Sequence, residues 1–290
     1  MAILSDEQIE ALLKKESSEI TQQERMQIVN YRMKKIKYKI AVVSGKGGVG
    51  KSTIAVNLAI GLAARNKAVG LMDLDITGPN VARMTATEGM RPEINSEHRT
   101  FIPVNGPLNV KIMSMAFLLA SSDDPVIWRG PMKMGLVRQF LGEGEWGSLD
   151  YLVIDLPPGT GDEILDILQL IPDAYVLIVT TPQDVALLDS RKTAMMAKTM
   201  QHDILGFVEN MSGFVCPKCK EFTPIFGEGG TDKASVELDI EVLGKIPIET
   251  EIRIGGDTGI PFLIEYPESA SAKEFNKIID KIQKYVEQGK

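Results

Sequence analysis

The sequence predicts an α/β protein in which a mainly parallel β-sheet carries helices on both faces. Seven continuous apolar runs have the length of a strand, and such runs are typical of strands buried on both faces. Several of the intervals between them are long enough for the crossover helix that parallel strands require. The runs cover residues 40–44, 68–74, 110–115, 151–156, 175–180, 204–211 and 242–246.

The composition and net charge of the chain exclude several classes of protein. The chain has 290 residues, 44% of them hydrophobic and 24% charged, which fits one large α/β domain or two small ones. The net charge of −7 argues against a general nucleic-acid-binding surface, which would have to be basic. No apolar run approaches the roughly 20 residues that span a bilayer, and the N-terminus does not resemble a secretory signal. We therefore expect a cytoplasmic protein with neither a nucleic-acid nor a membrane partner.

The first 37 residues are polar and helix-forming, and two pairs with capping-box spacing start two predicted helices, 6–15 and 22–36. The pairs are Ser5 with Gln8 and Thr21 with Glu24. Apolar residues recur at helical spacing in both segments, which favours a short helical arm over a disordered tail. We therefore divide the chain into an N-terminal arm, 1–37, and a main domain, 38–290.

A phosphate-binding motif follows the first predicted strand of the main domain. Residues 45–52 match the pattern G-x-x-x-x-G-K-[ST] in full. An apolar strand, 40–43, leads into the motif and a helical segment, 53–64, leads out of it, which is the context that the motif requires. The motif residues are Gly45, Lys46, Gly47, Gly48, Val49, Gly50, Lys51 and Ser52. The sequence therefore predicts a P-loop nucleotide hydrolase that binds the phosphates of ATP.

The residue types of this loop suit phosphate binding. Its glycines allow positive φ, so backbone N–H groups can turn inward at a helix N-terminus and form an anion site. Lys51 would reach the β- and γ-phosphates, the Ser52 hydroxyl would ligate Mg²⁺, and Thr53 would contact the α-phosphate. A common P-loop does not require Lys46, and two interpretations stay open for it. It is either a solvated loop charge or a cation that neutralises transition-state charge, including across a dimer, as an arginine finger does.

Aspartates follow two of the predicted strands. Ligands bind beyond the carboxyl ends of parallel strands, so Asp73 and Asp75 are expected to face the nucleotide. Asp75 could orient the attacking water and Asp73 could reach Mg²⁺ or its waters; alternatively, one of them only caps the following turn. Asp155 completes a Walker B pattern in the run 151–156 and would hold a Mg²⁺-bound water.

Two further segments have a structural interpretation. The stretch 85–107 is polar and poorly periodic, which predicts a surface excursion between two core strands. The C-terminal segment places apolar residues on one helical face and mixed charges elsewhere, which predicts a packing helix rather than a membrane-targeting one. These apolar residues are Phe275, Ile278, Ile279, Ile282 and Val286.

The only two cysteines, Cys216 and Cys219, have C-x-x-C spacing. One such pair provides two thiolates, whereas tetrahedral zinc or a [4Fe–4S] cluster takes four ligands. Two chains related by a twofold axis would supply four thiolates. Three interpretations remain open on the residues alone: a metal or cluster shared between two chains, a redox dithiol, and a plain structural pair.

Beyond these motifs, residues 38–285 resemble the Mrp/ApbC family of iron–sulfur cluster carrier ATPases. That family belongs to the deviant-Walker-A class of P-loop proteins, with MinD, ParA and the nitrogenase iron protein as relatives. The phosphate loop is shared by the whole class, whereas the stretch that begins at Trp128 and the cysteine stretch are much narrower signals. The resemblance rests on residues 44–53, 73–80, 128–132, 156–162, 208–212, 216–219 and 226–230.

The resemblance implies several residue roles. Lys46 would be the signature lysine that reaches the nucleotide across a dimer, and Asp75 the switch aspartate needed for hydrolysis. Asn210 would recognise adenine, with Pro247 and nearby backbone lining the base. Cys216 and Cys219 would bridge a labile [4Fe–4S] cluster at a homodimer interface.

The same resemblance implies the partners and the wider function. Cluster assembly machinery would donate the cluster, and apo iron–sulfur proteins would receive it. The chain has only a short helical arm, without cysteines, where many relatives carry an additional domain or cluster site, so no second stable cluster is expected. The alternative is a positioning or partitioning ATPase of the MinD/ParA kind, which would share Lys46 and Asp75 but would give the cysteine pair no role.

Overall fold

The computed structural model describes most of the chain. The described residues are 5–15, 19–76, 78–98, 100–118, 130–216, 218–219 and 221–289. Four residues of the stretches that carry the family resemblance lie outside this set. They are Thr77, Trp128, Arg129 and Pro217.

A nine-stranded sheet forms the centre of the described structure, in the order β10-β9-β8-β1-β7-β2-β6-β5 with β11 also paired to β9. A separate two-stranded sheet pairs β3 with β4. The strands are β1 (Ile36–Val43), β2 (Val69–Asp73), β3 (Glu93–Asn95), β4 (Thr100–Ile102), β5 (Val104–Asn105), β6 (Lys111–Ser114), β7 (Leu149–Asp155), β8 (Tyr175–Thr180), β9 (Ile204–Val215), β10 (Phe222–Thr223) and β11 (Val242–Ile248). All pairings of the large sheet are parallel except those of β5 with β6 and β10 with β9.

Helices cover both faces of this sheet. They are α1 (Asp6–Leu13), α2 (Gln22–Lys34), α3 (Lys51–Ala63), α4 (Val81–Met84), α5 (Gly130–Gly142), α6 (Asp162–Leu170), α7 (Asp184–Thr199), α8 (Gly230–Leu238), α9 (Thr250–Thr258), α10 (Phe262–Glu265) and α11 (Ala270–Gln288). None of the helices in the described segments is long and apolar enough to cross a membrane.

Strand β1 shows why the sheet is buried on both sides. Its side chains alternate between the faces, so Ile40 and Val42 join one apolar cluster with α3 and α11. Ala41 and Val43 join the other cluster, which contains residues of α2, α5, α6 and α7. All four residues are at most 1% exposed. The predicted three-layer α/β architecture is therefore confirmed.

The N-terminal segment forms the two predicted helices, which are slightly shorter than the sequence indicates. Both capping boxes are present, at Ser5 and at Thr21. Val29 and Met33 of α2 are buried in the same cluster as α5 and the sheet, and burial of each side chain contributes up to about 1.5–3 kcal/mol. Helix α2 is thus packed as part of the core, whereas α1 packs on it through a smaller cluster.

Parallel pairing brings the functional segments to one edge of the sheet. In register, Val42 lies opposite Asp155, and Asp155 lies opposite Asp73. The loops after β1, β2 and β7 therefore meet at the carboxyl edge, where ligands of open α/β sheets bind. The stretch 85–107 forms the small β3–β4 sheet and β5 between β2 and β6, in agreement with the predicted excursion.

Candidate functional site

The loop between β1 and α3 has the backbone shape of a phosphate cradle. Gly48 and Gly50 have φ values of 81° and 84°, a left-handed conformation that glycine adopts without strain. Gly50 precedes Lys51, the first residue of α3, so the loop leads directly to a helix N-terminus. At Gly45, a Cβ atom would collide with the backbone of Asp189 in α7, so only glycine permits this packing.

A cavity of about 740 Å³ opens at this loop, within the range of small-molecule sites, roughly 300–1,000 Å³. The sequence-predicted residues that line it are Gly47, Gly48, Gly50, Lys51, Ser52, Thr53, Asp75, Asn210 and Pro247. Its outer wall comes from α4 and α9, through Arg83, Met84, Ile252 and Arg253. These wall residues belong to no sequence motif, because only the packing of α4 on α9 brings them to the cavity.

Lys51 is buried and lies between two carboxylates. Its Nζ is 2.6 Å from Asp155 Oδ1 and 3.7 Å from Asp75 Oδ2. The Ser52 side chain lies near Asp155. Burial raises the pKa of Asp155 above its usual value, and the adjacent Lys51 opposes that rise. The side chains predicted for phosphate and Mg²⁺ binding therefore already contact one another at the base of the cavity.

Asp73 is placed differently from the other two aspartates. Its Oδ1 accepts a hydrogen bond from the Asp75 N–H, and its Oδ2 accepts from Ser114 Oγ and the Val81 N–H. Burial, and then the nearby charge of Asp155, raise the pKa of Asp73 to about 8. Asp73 is fully buried and does not line the cavity. This geometry matches the alternative in which Asp73 caps the turn after β2.

A Mg²⁺ ion at this site would need ligand oxygen atoms that are not already engaged in hydrogen bonds. Asp155 Oδ2 is enclosed and has no hydrogen-bond partner among the described residues, and such an orphaned buried oxygen indicates an absent ligand or water. The Ser52 hydroxyl lines the cavity beside it. Ser52 and Asp155 thus fit a magnesium ion and its bound water, whereas Asp73 already uses both oxygens.

Asn210 connects the phosphate loop to β9. Its Nδ2 donates a hydrogen bond of 2.9 Å to the backbone carbonyl of Val49. Its side chain is 7% exposed and, with Pro247 of β11, lines the same cavity as Lys51.

Lys46 lies on the outside of the same loop. Its side chain is exposed and does not line the cavity of its own chain. Within the described residues it has no ion-pair partner. Its backbone carbonyl accepts a hydrogen bond of 3.0 Å from the Ser44 hydroxyl. In a single chain, Lys46 is therefore separate from the cluster of Lys51 and the aspartates.

The cysteines lie on a hairpin that extends the nucleotide-site strand. Strand β9 continues past Asn210 to Val215, Cys216 follows, and β10 returns antiparallel. The Cys216 N–H donates to the Glu221 carbonyl at 3.0 Å, which closes the turn. Cys216 is half-buried and Cys219 is exposed.

Exposed apolar side chains lie next to the cysteines on this hairpin, as they do on surfaces that contact another protein. Val215, Phe222 and Ile225 beside the cysteines are 44–52% exposed. Within the described residues, no group of three or more His, Cys, Asp or Glu side chains is arranged to hold a metal ion. A single chain therefore brings an incomplete set of thiolate ligands to this surface.

Comparison with known proteins places these features in a family. A family model described as ParA, NUBPL iron-transfer P-loop NTPase, matches residues 35–283. The iron–sulfur cluster carrier protein of Methanocaldococcus jannaschii is 47% identical over 260 residues, which cover 89% of this chain and 88% of the relative. The protein of the same name from Saccharolobus solfataricus is 46% identical over 260 residues, 89% of this chain and 87% of the relative.

Solved structures agree with the fold. A nucleotide-binding protein from Archaeoglobus fulgidus, solved in complex with ADP, has a TM-score of 0.75 and 36% identity, covering 88% of this chain and 97% of that protein. The cell-division ATPase MinD from Pyrococcus furiosus has a TM-score of 0.58 and 26% identity, covering 86% and 99% of the two chains.

Proposed function

Because this chain belongs to the NUBPL iron-transfer P-loop NTPases of the ParA class, we propose that it is an ATP-hydrolysing carrier of iron–sulfur clusters. Two chains hold one labile [4Fe–4S] cluster between their Cys216–Cys219 pairs. The cluster is cargo: assembly machinery supplies it, and cytoplasmic apo-proteins receive it. The curated relatives named as iron–sulfur cluster carriers support this function.

The observation that carries the proposal is the position of the cysteine pair. The chain has two cysteines in total, and both lie on a surface hairpin rather than in the core. A buried structural pair would need neither this exposure nor the adjacent apolar side chains. Since a [4Fe–4S] cluster takes four thiolates, a second copy of the chain is the simplest source of the other two.

The nucleotide site supplies the ATPase part of the proposal. When ATP binds, Lys51 exchanges its contacts with Asp155 and Asp75 for the β- and γ-phosphates. Asp75 then orients the attacking water, and Asn210 and Pro247 contact the base. Magnesium, held through Ser52 and a water on Asp155, would neutralise phosphate charge. Asn210 and the cysteine hairpin lie on the same strand, β9, which supports coupling between nucleotide binding and the cluster.

A positioning ATPase of the MinD/ParA kind is less well supported. It would use the same loop, Lys46 and Asp75, and the structural similarity to MinD reflects this common fold. It leaves the cysteine hairpin without a function, and the curated relatives at 46–47% identity are cluster carriers by name.

Anaerobic reconstitution with iron and sulfide tests the shared cluster. We expect a brown dimer with about one [4Fe–4S] cluster, that is about four iron atoms, per two chains. Sedimentation and iron analysis on the same sample measure both quantities. A stable monomer with a complete cluster, or a zinc-loaded dimer that takes up no iron, would contradict the proposal.

The Lys46→Ala variant tests the cross-dimer role of the signature lysine. Because the Lys46 side chain lies outside the cavity of its own chain, we expect ATP affinity to change little. Hydrolysis should fall by about 10²-fold or more, as expected when a transition-state cation is removed. Binding titrations and steady-state turnover separate the two effects. Unchanged turnover would restrict Lys46 to the role of a solvated loop charge.

A further inference from the structure

A second cavity, of about 640 Å³, lies next to the cysteine hairpin. Phe214 and Val215, at the end of β9, form one side of it, and Val215 is bonded directly to Cys216. The end of β11, the start of α9 and the segment that joins α10 to α11 complete it, and Ile248 and Tyr266 add apolar surface. This cavity is distinct from the nucleotide cavity, although the two share the wall at residues 247–249.

The charged side chains that line this cavity are all acidic. They are Glu249, Glu251, Glu265 and Glu268. Two of them already have partners: Glu249 Oε1 accepts from the Ser271 N–H at 3.0 Å, and Glu268 pairs with Lys273 at 3.0 Å. Among the described residues, the side chains of Glu251 and Glu265 have neither a hydrogen bond nor an ion pair, and Glu249 Oε2 is buried without a hydrogen-bond partner. The cavity thus presents three carboxylates that no described cation neutralises, those of Glu249, Glu251 and Glu265, beside an apolar surface. This arrangement is complementary to a cationic side chain.

A matching cation lies in the cysteine motif itself. Lys218 is located between Cys216 and Cys219, is exposed, and has no partner among the described residues. It does not line the acidic cavity of its own chain. Four thiolates around a shared cluster would concentrate negative charge at the hairpins, next to the glutamates. A lysine at this position would reduce the resulting repulsion between two copies.

We propose that the acidic cavity is a docking site for Lys218 of a second copy of this chain. The inference rests on the proposed function, because a shared cluster is what brings the two hairpins together. A twofold axis then places the Lys218 of each copy near the end of β9 in the other. The ammonium group of Lys218 binds between Glu251 and Glu265, and its aliphatic stem packs on Val215 and Ile248, as long cationic side chains do on apolar surfaces.

A charge-swap experiment in the full-length protein tests this contact. The variants are Lys218→Glu, Glu265→Lys and the two combined, and Lys284→Glu, an exposed lysine near the far end of α11, makes the same charge change elsewhere. We expect each single swap to weaken dimerisation about five- to tenfold, because each exposed contact is worth little alone but occurs twice in a symmetric dimer. The dimer dissociation constant of the combined variant should return to within about twofold of that of the unmodified protein. High salt should reduce the differences in dissociation constant between the variants.

Sedimentation velocity measures the dimer dissociation constant, both after cluster reconstitution and with ATP alone. If the double swap is no better than the single swaps, or if Lys284→Glu has the same effect as Lys218→Glu, the docking contact is refuted. The same holds if Glu265→Lys slows cluster transfer but leaves dimerisation unchanged, since the cavity would then serve a recipient protein. Failure of the unmodified protein to take up a cluster refutes the proposed function instead, and visible absorbance reports it separately from the charge swap.

Discussion

The Cys216→Ala/Cys219→Ala double variant is expected to lose all cluster binding while it keeps its fold and its affinity for ATP. The two thiolates are the whole cysteine content of the chain, so no other cysteine can replace them. Both lie at the end of a hairpin, outside the two large apolar clusters. Substitutions at such surface positions usually change stability by no more than about 0.5 kcal/mol.

Iron and sulfide content after anaerobic reconstitution measures the loss, and thermal unfolding and ATP titration verify that the protein is otherwise intact. Thr223→Ala, on the exposed β10 strand of the same hairpin, is a matched control that should bind the cluster normally. Each single cysteine variant leaves two thiolates per dimer, so we expect it to hold the cluster only weakly. Full cluster content in the double variant would show that other residues bind the cluster, and it would refute the proposal that Cys216 and Cys219 are its ligands.

Much of the fold could be predicted because the apolar pattern and the backbone requirements agree locally. Strand β8 has the predicted bounds, and β2 and β7 differ from prediction by one or two residues. The phosphate loop was recognisable because positive φ at Gly48 and Gly50, followed by a helix N-terminus, demands a particular residue pattern. The family resemblance, drawn from several short stretches, is confirmed by the family model and the curated relatives.

The cysteine hairpin was less predictable, since the apolar run that marks β9 stops before the strand does. Met211 has a φ of 56° and Gly213 a φ of 78°, so two left-handed residues interrupt the regular alternation. The strand nevertheless continues, because it pairs with β10 at Phe222 and with β11 at Ile248. Ile248 is distant in sequence, whereas Phe222 lies just across the cysteine turn. Hydrophobic periodicity reveals neither partner.

The roles of the aspartates also depended on tertiary contacts. Sequence position alone placed Asp73 and Asp75 together at the nucleotide edge. Ser114, on the neighbouring strand β6, and the Val81 N–H engage Asp73, whereas Asp75 lines the cavity. Similarly, Arg83 and Arg253 become candidate nucleotide contacts only because α4 packs on α9.

The second large effect is expected for Lys51→Ala, which should remove ATP hydrolysis and also destabilise the fold. Hydrolysis should fall by about 10²- to 10³-fold or more, the usual cost of losing one fixed donor to a charged transition state. In the absence of nucleotide, the substitution leaves the fully buried Asp155 without its partner at 2.6 Å. Breaking a buried ion pair on one side typically costs about 3–5 kcal/mol.

Steady-state turnover and denaturant unfolding measure these two losses, and a second variant separates them. In Lys51→Ala/Asp155→Asn the unpaired buried charge is gone, so stability should recover in large part while hydrolysis stays lost. Recovery of stability without activity would show that Lys51 has two distinct roles, one toward phosphate and one toward Asp155.

If the single variant were as stable as the unmodified protein, Asp155 would have to be neutral in the absence of nucleotide. The raised pKa of this buried carboxyl makes that outcome physically possible. Lys51 would then contribute to catalysis alone, and the ion pair would add nothing to the stability of the nucleotide-free fold.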